Sequence, residues 1–178
     1  MRIGFMMGFD KERIEFAEKA GFKSCELRVS REDEFFPGKD GWKDKAEEVV
    51  DYYKEKNIRI SCLAAFYVNH MDKEKADEYK KLVRDSIILA ERMGVGVVAG
   101  FSGRVVGKPL KESVSFFKKI WSEHSKFAEG HNIKIAFENC PMGEFHTPSN
   151  GINFMSTPEM WEIAFNEVPS DAIGLEWD

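Results

Sequence analysis

The side chains best suited to chemistry stand together at the end of one short apolar run. Residues 133–137 are mostly apolar, and Glu138, Asn139 and Cys140 follow directly before Pro141 turns the chain. This order is typical of a buried strand that delivers a carboxylate, an amide and a thiol to the rim of a sheet. A carboxylate at such a rim can bind a hard cation through one oxygen, which makes Glu138 the leading candidate for both catalysis and metal binding.

A second stretch near residue 178 has the same form. Residues 172–175 are apolar apart from one glycine, and Glu-Trp-Asp follows, so this run also finishes in an acid. We interpret the two stretches together as half of a metal site.

Strands and helices that could position these residues alternate along the whole chain. Gly or Asn follows most of the runs whose apolar residues recur at helical spacing, and Asp10, Asp72 and Thr157 are predicted helix N-caps. Alternation of this kind predicts parallel strands joined by crossover helices, and therefore an α/β fold. The pattern predicts five helices between six strands, at residues 2–7, 22–29, 58–66, 95–101, 133–138 and 172–177.

Two architectures are compatible with this order: an open doubly wound sheet and a (β/α)8 barrel. The first strand-to-helix turn, residues 8–11, lacks the GxGxxG of a dinucleotide-binding fold, and no GxxxxGK[ST] occurs. A barrel instead carries its chemistry at the C-terminal ends of its strands, where the acids of this chain are predicted. The barrel is therefore favoured.

The length of the chain is short for such a barrel. Barrels usually need about 250 residues, and the sequence has 178, so we expect residues 1–178 to form a single partial barrel domain. Truncation is the simplest explanation, and the alternatives are an open sheet or a homo-oligomer in which a second copy covers the exposed strand edges.

Composition excludes several classes of function. The formal net charge of −5 provides no overall basic field for nucleic acid. No apolar run approaches the roughly 20 residues of a membrane span. The three cysteines are widely spaced and include no CxxC pair, which favours a reducing, cytoplasmic setting.

The combination of Ala-Phe-Glu-Asn-Cys-Pro at 136–141 with Ile-Gly-Leu-Glu-Trp-Asp at 173–178 resembles the xylose isomerase-like barrel superfamily. Within it, the chain is most similar to the sugar-phosphate isomerase/epimerase branch. The resemblance follows strand order over all 178 residues and includes Ile-Gly-Phe at 3–5, Cys-Glu-Leu-Arg at 25–28 and Gly-Phe-Ser-Gly-Arg at 100–104.

This resemblance implies a divalent cation (Mn²⁺, Mg²⁺, Co²⁺ or Zn²⁺) bound by Glu138 and Asp178. The family's other ligands, a histidine and a glutamate, come from a seventh and an eighth strand, which this sequence does not contain. The implied activity is isomerisation or epimerisation of a sugar or polyol through an enediolate, with Glu138 moving the proton. The resemblance also implies a substrate-contacting role for Glu144, and a substrate or metal role for His70.

Further candidates follow from the residues themselves. We expect His146, in the loop after Glu138, to line the mouth of the site. Arg104 is a candidate for binding a phosphate or carboxylate, although a surface loop cation is favoured. Glu26 and Arg28 either point into the barrel or form an ion pair, and the ion pair is favoured; His124 is expected at the surface.

Two other functions compete with a sugar isomerase or epimerase. One is a non-catalytic partial barrel that binds a ligand or partner, or a fragment, for which the missing strands argue. The other is a zinc-dependent abasic-site endonuclease. Enzymes of that class have a histidine ligand after the fourth strand, whereas residues 100–103 of this chain contain no histidine and the chain is acidic, so both features argue against this function.

Overall fold

The computed structural model describes residues 3–143 and 150–177. Glu144, His146 and Asp178 therefore lie outside the described residues. Six strands, five α-helices and one 3₁₀ helix alternate in the described part of the chain. They are β1 (Gly4–Met7), α1 (Lys11–Lys19), β2 (Ser24–Arg28), α2 (Trp42–Glu55), β3 (Arg59–Phe66), α3 (Ala76–Met93), β4 (Val97–Gly100), a 3₁₀ helix (Leu110–Ser113), α4 (Val114–Gly130), β5 (Lys134–Glu138), α5 (Pro158–Glu167) and β6 (Ile173–Glu176).

The strands form one parallel sheet in the order β1-β2-β3-β4-β5-β6. A doubly wound fold reverses its strand order at a switch point, and this sheet does not, so the strand order is that of a barrel. Residues of its two edge strands, β1 and β6, line the same cavity, which shows that the sheet curls. The predicted α/β fold of partial-barrel type is confirmed.

Local signals in the sequence explain where several helices begin and end. The Asp10 carboxylate accepts a hydrogen bond from the Arg13 amide at the start of α1. The Thr157 hydroxyl does the same for Met160 at the start of α5. Asp72 was predicted to cap α3, but that helix begins four residues later, and the Asp72 carboxylate accepts from the amide of Glu74 in the preceding turn.

The main core lies between the sheet and its helices. Phe137 of β5 is fully buried against Trp121 of α4, with ring centroids 4.6 Å apart, and Phe117 packs on both. Successive side chains of a strand point to opposite faces, so Ala136 and Glu138 point away from this core. The helix-covered face of the sheet therefore holds the aromatic residues, and the inner face is left for small and polar ones.

The described ends of the sheet expose apolar side chains. Ile3 before β1, Met6 within β1 and Trp177 after β6 are 65%, 49% and 74% exposed. Among the helices of the described residues, none is long and apolar enough to cross a membrane.

Candidate active site

Strand register brings carboxylates from two strands together on the inner face of the sheet. Glu138 is the last residue of β5, and its Cα pairs directly with that of Glu176 on β6. Glu138 lies two positions after Ala136, and Glu176 lies two positions after Gly174, the register partner of Ala136. The two glutamate side chains therefore share the face of the sheet opposite the aromatic core.

These carboxylates line a cavity of about 530 Å³ on the inner face of the curled sheet. Glu26 of β2 contributes a third carboxylate, and Tyr67, directly after β3, contributes a phenol. Ser24 and Ser61 add hydroxyl groups from the same inner face. The cavity is therefore polar, and most of its fixed charge is negative.

Tyr67 joins strands that are distant in the sequence. Its hydroxyl lies 3.1 Å from Oε1 of Glu26 and 3.2 Å from Oε2 of Glu176. A phenol has one proton to donate, so both contacts are hydrogen bonds only when one carboxyl group is protonated and donates to the phenol oxygen. Tyr67 therefore brings the carboxyl groups of Glu26 and Glu176 to one hydroxyl group.

The electrostatics of Glu176 agree with this arrangement. Burial and the neighbouring Glu26 carboxylate raise the pKa of Glu176 to about 8, with Glu138 adding to the effect and the Tyr67 hydrogen bond opposing it. The same burial and negative charge raise the pKa of the Tyr67 phenol. Negative charge is therefore crowded into a site where little water can disperse it.

Groups that could hold a metal ion occur at this site. The ligand atoms of Glu26, Cys62 and Glu176 all lie within 4.8 Å of one another. Burial, followed by the two nearby carboxylates, raises the pKa of the Cys62 thiol, so a cation at this position must first displace the thiol proton. Carboxylate oxygens are the ligands that hard divalent cations prefer, and a cation would relieve the crowded charge. The described residues of the cavity therefore fit a divalent metal.

Of the residues predicted from the sequence, Glu138 lines this cavity. Glu144, His146 and Asp178 lie outside the described residues. His70 and Arg104 lie elsewhere in the structure and are not among the residues that line the cavity.

His70 lies between the sheet and the helices. It is 4% exposed, its ring contacts Phe66, Tyr79 and Trp121, and its Nε2–H donates to the carbonyl oxygen of Phe66 at 3.3 Å. Burial lowers the pKa of His70 to about 3, so the imidazole is neutral. The surroundings are those of a core histidine.

Three expectations about charged side chains need correction. Glu26 contacts Tyr67, and among the ion pairs of the described residues none joins it to Arg28. Arg104 is 7% exposed rather than a surface cation, because its guanidinium turns back to donate to the carbonyl oxygen of Lys108 at 2.9 Å. His124 is 2% exposed, packed on Trp121.

Sequence reasoning missed Tyr67 and Glu176 as residues of the cavity, and for Glu26 it favoured an ion pair over a position inside the barrel. A signal was available for two of them. Glu26 lies between the buried Cys25 and Leu27, so strand alternation places it on the inner face, and Glu176 stands at the end of an apolar strand. Tyr67 gave no such signal, because only the curl of the sheet brings it to both carboxylates.

Comparison with known families places this fold and site in one class. Residues 14–178 match the family described as xylose isomerase-like TIM barrel. The chain therefore belongs to the xylose isomerase-like TIM barrel family, as the sequence motifs predicted. Comparison with curated proteins gives no match.

Solved structures of the same fold include a zinc-bound protein and a sugar epimerase. A xylose isomerase domain protein from Planctomyces limnophilus superposes with a TM-score of 0.76 at 10% identity, over 99% of this chain and 63% of that one. IOLI protein with a bound zinc atom gives 0.73 at 20% identity, over 98% and 62%. D-Psicose 3-epimerase from Clostridium cellulolyticum H10, in complex with D-tagatose, gives 0.71 at 13% identity, over 100% and 63%. This chain thus spans slightly less than two thirds of the length of each.

Proposed function

We propose that this chain carries part of the active site of a divalent-metal-dependent isomerase or epimerase that acts on a sugar or related polyol. The observation that supports the proposal is the position of Glu138, at the C-terminal end of β5 and facing a polar cavity in a xylose isomerase-like barrel. Active sites of such barrels lie at the C-terminal ends of their strands. Two sugar epimerases, one in complex with D-allulose and the other with D-tagatose, share the fold.

Glu138 and Asp178 are the proposed metal ligands of this chain. When bound, a divalent cation would polarise the substrate carbonyl and stabilise the negative charge that develops on its oxygen. The crowding of carboxyl groups that raises the pKa of Glu176 is the feature of this structure that favours a cation beside Glu138.

Glu138 is also the proposed proton carrier. Its carboxylate removes the proton from the carbon beside the substrate carbonyl and returns it to the carbonyl carbon on the same face, while the proton of the neighbouring hydroxyl group moves to the former carbonyl oxygen, which gives isomerisation. Delivery of a proton to the original carbon from the opposite face, by a second acid group, gives epimerisation. Positioned proton transfer of this kind contributes about 10²–10⁴ in rate. Glu26 and Tyr67 offer hydrogen-bond partners for the hydroxyl groups of a sugar held in the cavity.

Replacement of the Glu138 carboxylate tests this proposal. We expect Glu138→Gln to weaken Mn²⁺ binding, measured by titration calorimetry, by at least about tenfold, since it removes an anionic ligand. Glu48→Gln makes the same chemical change on an exposed position of α2 and serves as the matched control. Turnover is assayed on ketohexoses and aldohexoses. Unchanged Mn²⁺ affinity and turnover in Glu138→Gln would refute the assignment.

The competing functions have their own outcomes in the same experiments. Retained binding of Mn²⁺ and sugar without turnover would favour a ligand-binding module. Nicking of DNA that contains an abasic site would favour the endonuclease, although three carboxyl groups around the cavity are unfavourable neighbours for a phosphodiester. The three free cysteines suit the reducing cytoplasm, where we place the protein.

A further inference from the structure

A buried polar cluster, formed by the side chains of Ser102 and Asn153, lies directly behind the candidate catalytic residue. Both residues are 0% exposed. Burying a carboxamide and a hydroxyl costs free energy unless each polar atom finds a partner, so the partners of this cluster are informative.

The Asn153 carboxamide is anchored to the end of β5. Its Nδ2 donates one hydrogen bond to the carbonyl oxygen of Glu138 at 2.6 Å and one to that of Cys140 at 2.8 Å. An amide nitrogen has two protons, so both are used. This one side chain therefore holds the backbone on both sides of Asn139.

Ser102, just after β4, holds the other end of the same carboxamide. Oδ1 of Asn153 accepts from the Ser102 hydroxyl at 2.7 Å and from the Ser102 amide at 3.1 Å. The Ser102 hydroxyl oxygen in turn accepts from the amides of Phe154 and Met155 at 3.1 and 3.0 Å. Trp121 of α4 donates to the Ser102 carbonyl oxygen at 2.8 Å.

These contacts tie three segments together: the end of β4, the end of β5 and the residues that lead into α5. Asn153 also joins the two ends of the segment between Cys140 and Asn153, which in the sequence contains Glu144 and His146. Each proton of the Asn153 carboxamide and of the Ser102 hydroxyl is donated to an acceptor within the protein, so the cluster is suited to fixing backbone rather than to binding a ligand.

We propose that Asn153, itself held by Ser102, is a positioning residue that sets the direction in which the Glu138 carboxylate enters the cavity. The inference rests on the proposed role of Glu138. Fixing the Glu138 carbonyl oxygen and the Cys140 carbonyl oxygen fixes the peptide planes that follow Glu138, and thereby the backbone from which its side chain leaves. Residues that support a metal ligand in this way typically change metal affinity or activity by about 10–100-fold when they are replaced.

Mn²⁺ binding to the purified chain tests the proposal. We expect Asn153→Ala, and Asn153→Asp, which keeps the acceptor but loses both donors, to weaken Mn²⁺ affinity by about tenfold or more. Thr157→Ala is the matched control, because the Thr157 hydroxyl accepts from the Met160 amide at 3.4 Å, in the segment that follows Asn153, and Thr157 is not among the described residues that line the cavity. We expect that variant to lose stability with Mn²⁺ affinity within about twofold of wild type.

The outcomes separate the positioning role from the function on which it rests. If Glu138→Gln weakens Mn²⁺ binding but folded Asn153 variants bind as wild type, Asn153 has only a structural role and the proposal is wrong. If Glu138→Gln binds Mn²⁺ like wild type, the proposed function fails, and the positioning role fails with it. Should neither Asn153 variant fold, Ser102→Ala keeps the carboxamide donors to Glu138 and Cys140 and removes the 2.7 Å hydroxyl bond to Oδ1, so that only backbone amides hold the far end of the side chain. Affinity equal to wild type in that variant would also overturn the proposal.

Discussion

Acid should destabilise this protein through His70, which the fold buries as a neutral imidazole. Burial lowers the pKa of His70 to about 3 in the folded chain, against 6.5 for an unperturbed histidine. Between these two values the unfolded chain binds one proton more than the folded chain. Stability therefore falls as the pH decreases from about 6.5 toward 3, and it is fully present above that window.

The size of this effect follows from the unfolded-state pKa. At pH 5 the folded His70 is still neutral, whereas the unfolded one is almost fully protonated. Since each pH unit corresponds to about 1.4 kcal/mol, lowering the pH from 7 to 5 should cost about 2 kcal/mol of unfolding free energy through His70. His124, whose pKa burial lowers to about 4, is expected to add a similar loss.

Urea unfolding at pH 7 and pH 5 measures this loss. His70→Gln removes the titration while leaving an amide that can donate to the Phe66 carbonyl. We expect the free energy of unfolding of that variant to fall between pH 7 and pH 5 by about 2 kcal/mol less than that of wild type. The change in unfolding free energy between pH 7 and pH 5 is compared between wild type and His70→Gln, so the contributions of all other titrating groups cancel.

Phe66→Leu is the control for lost packing, because Phe66 contacts the His70 ring but does not titrate. It should lower stability equally at both pH values. An equal fall between pH 7 and pH 5 in wild type and His70→Gln would refute the argument, and would mean that the imidazole gains a proton in the folded chain without cost.

Three further predictions concern the cavity and one helix end. Tyr67→Phe should raise the pKa of Glu176 further above about 8, because the phenol hydrogen bond lowers it, and ¹³C NMR titration of the glutamate carboxyls reads this directly. Without metal, Glu176→Gln should lose less stability than wild type as the pH rises from 6 to 8, since the folded wild type keeps a Glu176 proton in that range that the unfolded chain has already released; parallel urea curves would contradict this. Thr157→Ala should cost about 1 kcal/mol in urea unfolding, because the Met160 amide loses its cap; no loss would show that the cap is not stabilising.

The features that the sequence predicted well are local ones. Apolar periodicity and terminal signals such as Asp10 and the Thr157-Pro158 pair predicted the six strands and five α-helices of the described residues, though not the 3₁₀ helix before α4, because these patterns depend on residues a few positions apart. Glu138 was found for the same reason, as a carboxylate that ends an apolar strand. The family followed from two short motifs, and comparison confirmed it.

The surroundings of each side chain could not be predicted in this way. Asp72 is a residue type that commonly caps helices, but it lies four residues before the first residue of α3. The polar residues His70 and His124 lie in the core, because aromatic neighbours from α3 and α4 enclose them. A pattern read along one segment contains no information about what a different segment packs against it.

The sequence by itself determined the order of parallel strands and crossover helices, the barrel class and the strand-end position of Glu138. Only the tertiary structure decided that Glu26 and Glu176, 150 positions apart in the sequence, meet at the Tyr67 hydroxyl, and that Asn153 reaches back to the Glu138 carbonyl. The physical reason is that local periodicity sets which face a side chain takes, whereas the curl and register of the sheet set which faces meet.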